Sequence, residues 1–156
     1  MLKKEKQLNR DIRAIDTIII HCSASDIPAH DDVSVIRNWH LKRGFIDVGY
    51  HFFIKQSNGI VQTGRPLYQV GAHCEHFNDA SIGICLSGEH NFTKDQYYST
   101  WQLCRNLCQQ FKINKPNILP HNWFNHFKSC PNFSLDKLWQ FDDVTDPWYI
   151  PKLRQF

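Results

Sequence analysis

The chain has 156 residues, 42% of them hydrophobic and 13% aromatic, and a formal net charge of +3. That length fits one domain burying roughly 70% of its unfolded surface, and that composition excludes a disordered chain. The basic residues are scattered, which argues against nucleic acid as a direct partner, and no apolar stretch nears the roughly 20 residues of a membrane span. Along the chain, residues 1–10 are charged and lack the apolar centre of a signal peptide. The protein is therefore expected to be cytoplasmic when made, with residues 1–13 a polar leader. Residues 16–22, with Ile18, Ile19 and Ile20, predict a strand buried on both faces. Asp32 or Ser34 can cap a helix carrying Val35, Ile36, Trp39 and His40, which Gly44 stops. Residues 50–55 read as a second strand, Ser57-Asn58-Gly59 as a hairpin turn, and residues 60–63 as its return.

Residues 81–86 form another strand in this reading. Thr93 and Gln96 have capping-box spacing before a helix whose stripe is Tyr97, Trp101, Cys104, Cys108 and Phe111, a core face. Residues 117–119 are a brief strand that delivers His121, and Ser134 can cap a last short helix with Leu135, Leu138 and Trp139. Strands alternating with helices, one hairpin among them, predict an α/β single domain with a central mixed β-sheet flanked by helices. The domain is expected over residues 14–141, with residues 142–156 a C-terminal extension and a monomer as the working state. The six cysteines have no secretion signal beside them, and most read as reduced, buried small hydrophobes.

His21, at the end of the first apolar run, and His121 and Cys130, bounding a later loop, offer two imidazoles and a thiolate. These are the ligand types zinc prefers, and three protein ligands with an open fourth position mark a catalytic site. Such a zinc lowers the pKa of its water to about 7, which points to hydrolysis. Strand alternation turns Cys22 away from whatever His21 binds, and likewise separates Tyr50 from His51, which is expected to pack on the other side. His126 lies within the 121–130 loop and ranks below His121, which directly follows a strand. His30-Asp31-Asp32 reads as a solvated loop leading into a helix cap. His73-Cys74-Glu75-His76 lacks the spacing of the two-histidine helical zinc motif.

Four stretches occur in one order: Ile20-His21-Cys22-Ser23-Ala24; Asp47-Val48-Gly49-Tyr50-His51-Phe52-Phe53; Val70-Gly71-Ala72-His73 with Asn78-Asp79-Ala80-Ser81-Ile82-Gly83-Ile84; and His121 through Lys128-Ser129-Cys130-Pro131. Together they resemble the zinc-dependent N-acetylmuramoyl-L-alanine amidases of type 2, whose fold is shared with peptidoglycan recognition proteins. Within that family the small phage lysozyme-type amidases look most alike. Each stretch alone is weak; four in register are specific, and they cover about four-fifths of the chain.

The resemblance implies one Zn2+ held by His21, His121 and Cys130. It implies Tyr50 and Lys128 as catalytic residues, and His73 and Asn78 as residues lining a peptidoglycan groove. The implied reaction is hydrolysis of the amide between N-acetylmuramic acid and L-alanine, after release to the cell wall. Related cytoplasmic amidases carry glutamates in the strand matching residues 84–87, where this chain has Cys85 and Ser87. The general base is thus left open. Two alternatives follow from the same resemblance: a muropeptide-binding module without catalysis, which would lack the cysteine ligand, and an amidase that also binds a phage RNA polymerase through its N-terminal segment.

Overall fold

The computed structural model describes residues 13–143 and Trp148. The leader, except Arg13, and most of the expected extension lie outside these described residues. The strands are β1 (Thr17–Cys22), β2 (Phe52–Ile54), β3 (Val61–Thr63), β4 (Ser81–Leu86) and β5 (Ile118–Pro120). They form one sheet in the order β3-β2-β4-β1-β5. Among the described residues only the β2–β3 hairpin is antiparallel; β1 pairs in parallel with both β4 and β5, and β2 in parallel with β4. The helices are α1 (Val33–Lys42), α2 (Lys94–Phe111) and two short ones, α3 (His121–Phe124) and α4 (Asp136–Trp139). This is the single-domain mixed sheet with flanking helices that the alternation of elements predicts.

Strand alternation divides the core. Ile18 and Ile20 of β1, with Ile82, Ile84 and Leu86 of β4, face α2 and meet Cys104, Leu107 and Cys108. Phe53 and Cys85 look the other way, into a smaller cluster with Val33 and Ile36 of α1 and Val48. His21 pairs in register with Cys85 at the strand ends, so it shares the α1 side. Parallel sheets place ligand sites beyond the carboxyl ends of their strands, and the cleft opens there.

Several local expectations shift. The second strand covers only Phe52–Ile54, although His51 still donates its amide to the Gly83 carbonyl at 2.9 Å. The buried stripe of α2 is Gln96, Thr100, Cys104, Leu107 and Cys108, with Tyr97, Trp101 and Phe111 only half-buried. Two polar residues lie in that stripe because their hydrogen bonds are satisfied there. Gln96 Nε2 donates to the carbonyls of Ile54 (3.1 Å) and Ser87 (2.8 Å), and Thr100 Oγ1 to that of Gln96 (2.8 Å). The capping box of Thr93 and Gln96 forms as its spacing predicts. Asp32 caps α1, accepting from the Ser34 amide at 2.9 Å. Ser34 lies inside that helix, and Ser134 Oγ accepts from the Asp136 amide without serving as the cap of α4.

The 30–32 segment is not a solvated loop. Asp31 is buried, and its carboxylate accepts from the amides of Gln56 (2.6 Å) and Ser57 (3.0 Å), pinning the β2–β3 turn. The 121–130 segment starts as the helical turn α3 rather than as loop. Of the extension, Trp148 packs edge-on against Trp139 and donates Nε1–H to Asp142, which also accepts from Trp101 Nε1.

Candidate metal centre

β1 delivers His21 at its buried end, and β5 delivers His121 beside it. Register does this: Ile20 pairs with Pro120, and each histidine is the next residue. The 121–130 segment then returns Cys130 to the same point, closed by the Asn122 amide donating to the Cys130 carbonyl at 3.0 Å. The ligand atoms of His21, His121 and Cys130 all lie within 4.8 Å of one another. The His21 and His121 ring centroids are 4.5 Å apart. His126 is exposed and outside this group, as is His76.

Tyr50 stands over His21 with ring centroids 5.1 Å apart. Burial pushes its hydroxyl well above the usual tyrosine range, and neighbouring Cys85, Cys130 and Cys22 push the same way, so it remains an O–H donor. Its hydroxyl shares a hydrogen bond with the Cys85 thiol, at the strand position where a carboxylate is missing. Ser87, the other such position, bonds the Asp31 carboxylate and is structural.

A cleft of about 480 Å³ opens over these groups. Tyr50, His73, Asn78, His121 and Lys128 all line it. Lys128 is exposed at its edge. His121 is held below the usual histidine range by burial and by the charge of Lys128. Burial, His73 and His121 hold His21 far lower still, so both rings are neutral and able to ligate. Contact with the Cys22 thiol and burial push the Cys130 thiol up; a divalent cation reverses this, since it deprotonates a coordinating thiol.

Cys22 does not turn away as strand alternation suggests. β1 ends there and the 130 segment crosses its end, so the Cys22 amide donates to Cys130 Sγ at 3.1 Å and the two thiols meet. His51 packs as expected, accepting at Nδ1 from the Gly83 amide (3.1 Å) and bonding the Gln69 carbonyl through Nε2 (2.8 Å). Asn78 lines the cleft, but its side-chain oxygen is committed to the amides of His73 and Cys74, both at 2.9 Å. His73 Nδ1 contacts His21 Nε2 at 2.8 Å.

Sequence reasoning missed His40, Arg43, Glu75 and Asn125, which also line the cleft. His40 was legible only as one more residue of the buried helix face; its Nδ1 accepts from the Gly49 amide at 2.8 Å and so fixes the entry to Tyr50. Arg43 and Asn125 follow helical turns and carry no spacing signal of their own.

Residues 11–133 match the N-acetylmuramoyl-L-alanine amidase family. The endolysin of Escherichia phage T7 is 35% identical over 137 residues, 83% of this chain and 88% of that one. Among solved structures, the N-acetylmuramoyl-L-alanine amidase LysC from Clostridium intestinale URNW superposes with a TM-score of 0.73 at 26% identity, covering 83% of this chain and 85% of that one. A Drosophila PGRP-LB mutant in complex with tracheal cytotoxin superposes with a TM-score of 0.64 at 26% identity, covering 76% of each chain.

Proposed function

The chain belongs to the N-acetylmuramoyl-L-alanine amidase family and is a peptidoglycan amidase; from that premise we propose that its cleft is a zinc centre built by His21, His121 and Cys130. One observation carries the assignment: the ligand atoms of three side chains, from the ends of β1 and β5 and from the 121–130 segment, converge within 4.8 Å, and His121 among them lines the cleft. The donor set fits the metal. With Zn–N about 2.0–2.1 Å and Zn–S about 2.3 Å, tetrahedral ligand atoms would lie about 3.3 to 3.6 Å apart, inside the 4.8 Å within which these atoms already gather. Bound there, zinc supplies Lewis acidity and acidifies water enough for attack at neutral pH.

The remaining steps belong to the chain's own groups. The cleft holds the muropeptide with the lactyl amide over the three ligands, in keeping with the PGRP-LB neighbour's being in complex with tracheal cytotoxin. Lys128 brings a full positive charge to the cleft edge, where it offsets the charge that develops on the amide oxygen. Tyr50, kept protonated by burial, donates a hydrogen bond to the attacking water or to that oxygen. For Tyr50 to donate there, its hydroxyl oxygen must accept from the Cys85 thiol, which orients it. Asn78 shapes the groove wall by holding the 73–78 turn.

The whole constellation lies in one chain, which suits a monomer acting on the cell wall. The presence of Cys130 supports catalysis over binding alone. The segment to which polymerase binding would be assigned lies outside the described residues, so that activity forms no part of this reading. Zinc content and turbidity loss of purified peptidoglycan, each with and without a chelator, test the proposal. One zinc per chain and chelator-sensitive lysis are expected; full lysis with no bound zinc, or with Cys130→Ser, overturns it.

A further inference from the structure

His73 is a buried polar side chain in direct contact with the ligand set. The residue is 9% exposed, and its ring abuts two glycines. A Cβ on Gly83 would stand 2.6 Å from the ring's Cγ and Cδ2, and one on Gly71 2.7 Å from its Cδ2. Its backbone is fixed as well, because the His73 amide donates to Asn78 Oδ1 at 2.9 Å. A side chain so held has little freedom to adapt to a substrate. What it does reach is His21, from Nδ1 to Nε2 at 2.8 Å, and Ser81 Oγ, from Nε2 at 3.3 Å.

The protons in this chain of bonds can be counted. Ser81 has one hydroxyl proton, and its best acceptor is the Phe77 carbonyl at 2.7 Å, well ahead of Asn78's at 3.5 Å. Ser81 Oγ is therefore the acceptor toward His73, which must carry its proton on Nε2. A neutral imidazole has only one N–H, so His73 Nδ1 is bare. The 2.8 Å contact then requires His21 to supply the proton from Nε2. His21 is left with a bare Nδ1 as its only lone pair for a cation. The reverse arrangement gives up the 2.7 Å bond from Ser81 to the Phe77 carbonyl and puts a proton on His21 Nδ1, leaving no nitrogen free to ligate.

We propose that His73, seated on Ser81 and clamped between Gly71 and Gly83, is a positioning residue that sets the His21 tautomer and makes Nδ1 the metal-binding atom. The inference rests on the zinc centre described above and gives His73 a task other than touching the glycopeptide. Partners that fix the tautomer and orientation of a ligand histidine also raise its basicity toward the metal. Ser81 and Gly83 lie on β4, so that strand orients a ligand carried by β1 while contributing none itself.

The test uses the full-length protein stripped of metal and titrated with zinc against a chromophoric chelator. His73→Phe is expected to weaken zinc binding roughly 10- to 100-fold, the usual effect of losing such a partner. His73→Asn, which can place an amide oxygen where Nδ1 stands, is expected to recover most of that loss, which a purely space-filling role would not allow. NMR of the ¹⁵N-histidine-labelled stripped protein is expected to show His21 with its proton on Nε2. Thermal unfolding of the stripped variants checks the fold; should His73→Phe fail to fold, Ser81→Ala removes only the acceptor oxygen and is expected to weaken zinc binding several-fold. Unchanged zinc affinity in a folded His73→Phe or Ser81→Ala, or a proton on His21 Nδ1, overturns the proposal. If the unaltered chain takes up no zinc, the metal reading fails instead, and the His21 tautomer still decides this one.

Discussion

Lys128 and Tyr50 line one cleft but reach it by different means. Lys128 is carried to its exposed edge by the segment ending in Cys130, while Tyr50 is fixed over His21 just before β2. Neither belongs to the ligand trio, so Lys128→Ala and Tyr50→Phe are expected to keep zinc. Removing a preorganised partner of a developing oxyanion typically costs about 100- to 1,000-fold in turnover. The larger loss is expected for Lys128, which supplies full charge where Tyr50 supplies one hydrogen bond. Turnover on soluble muropeptide with parallel zinc analysis measures both. Near-normal turnover in Tyr50→Phe would remove its role in proton handling, and zinc loss in either variant would move that residue into the ligand set. With Cys85 and Ser87 in place of carboxylates, neither of these strand positions supplies an acid to stand in for Tyr50.

Two helix starts set the stability of the layers that flank the cleft. Thr93 accepts from the Gln96 amide while the Gln96 side chain accepts from the Thr93 amide at 3.0 Å, so α2 begins with two of its free donors satisfied. Thr93→Ala is expected to cost about 1 kcal/mol, measured as a lower urea midpoint with unchanged slope. A loss near zero would mean that packing of Cys104, Leu107 and Cys108 alone holds the helix. At α1, the Ser34 hydroxyl and amide, followed by Gln62, pull the Asp32 carboxyl down to about 2. Its folded-state value is depressed, so its contribution is complete above the unfolded value of about 3.9 and is lost as pH falls toward about 2. Asp32→Asn keeps a capping oxygen but does not titrate. The stability gap between wild type and this variant, followed by urea unfolding, is expected to narrow from pH 5 to pH 2; a gap independent of pH in that range would refute the role of the carboxylate.

Across the whole molecule, the proposed metal centre would join two parts of the chain that sequence keeps far apart: the end of β1 and the segment from His121 to Cys130. A ligand bound only by the folded state adds about 2.7 kcal/mol at 100 times its dissociation constant. For a chain of this size that corresponds to roughly 5–10 °C in melting temperature. Chelation is therefore expected to lower the melting temperature by that order, reversibly on returning zinc, with no such response in Cys130→Ser. Equal chelator sensitivity in both proteins would place the stabilising ion elsewhere.

The order of strands and helices, the hairpin at Ser57–Gly59 and the caps at Asp32 and Thr93 were legible in the chain because each is a local pattern of apolar period and short-range hydrogen bonding. So was the nomination of His21, His121 and Cys130 as candidate ligands, three residues that the fold brings together, since ligand chemistry is read from residue type. Which strand lies beside which was not, because pairing depends on contacts between segments separated by 60 or 100 residues: β4 next to β1, and β1 between β4 and β5. The same limit hid the burial of Gln96 in α2 and the depth of Asp31, whose partners come from other elements. It also hid the contact of Cys22 with Cys130 and the Ser81–His73–His21 chain of bonds. Residue type and spacing were enough to nominate the ligands; only the folding of β4 against β1 brings His73 behind His21, because a hydrogen bond depends on where the partner atoms lie in space.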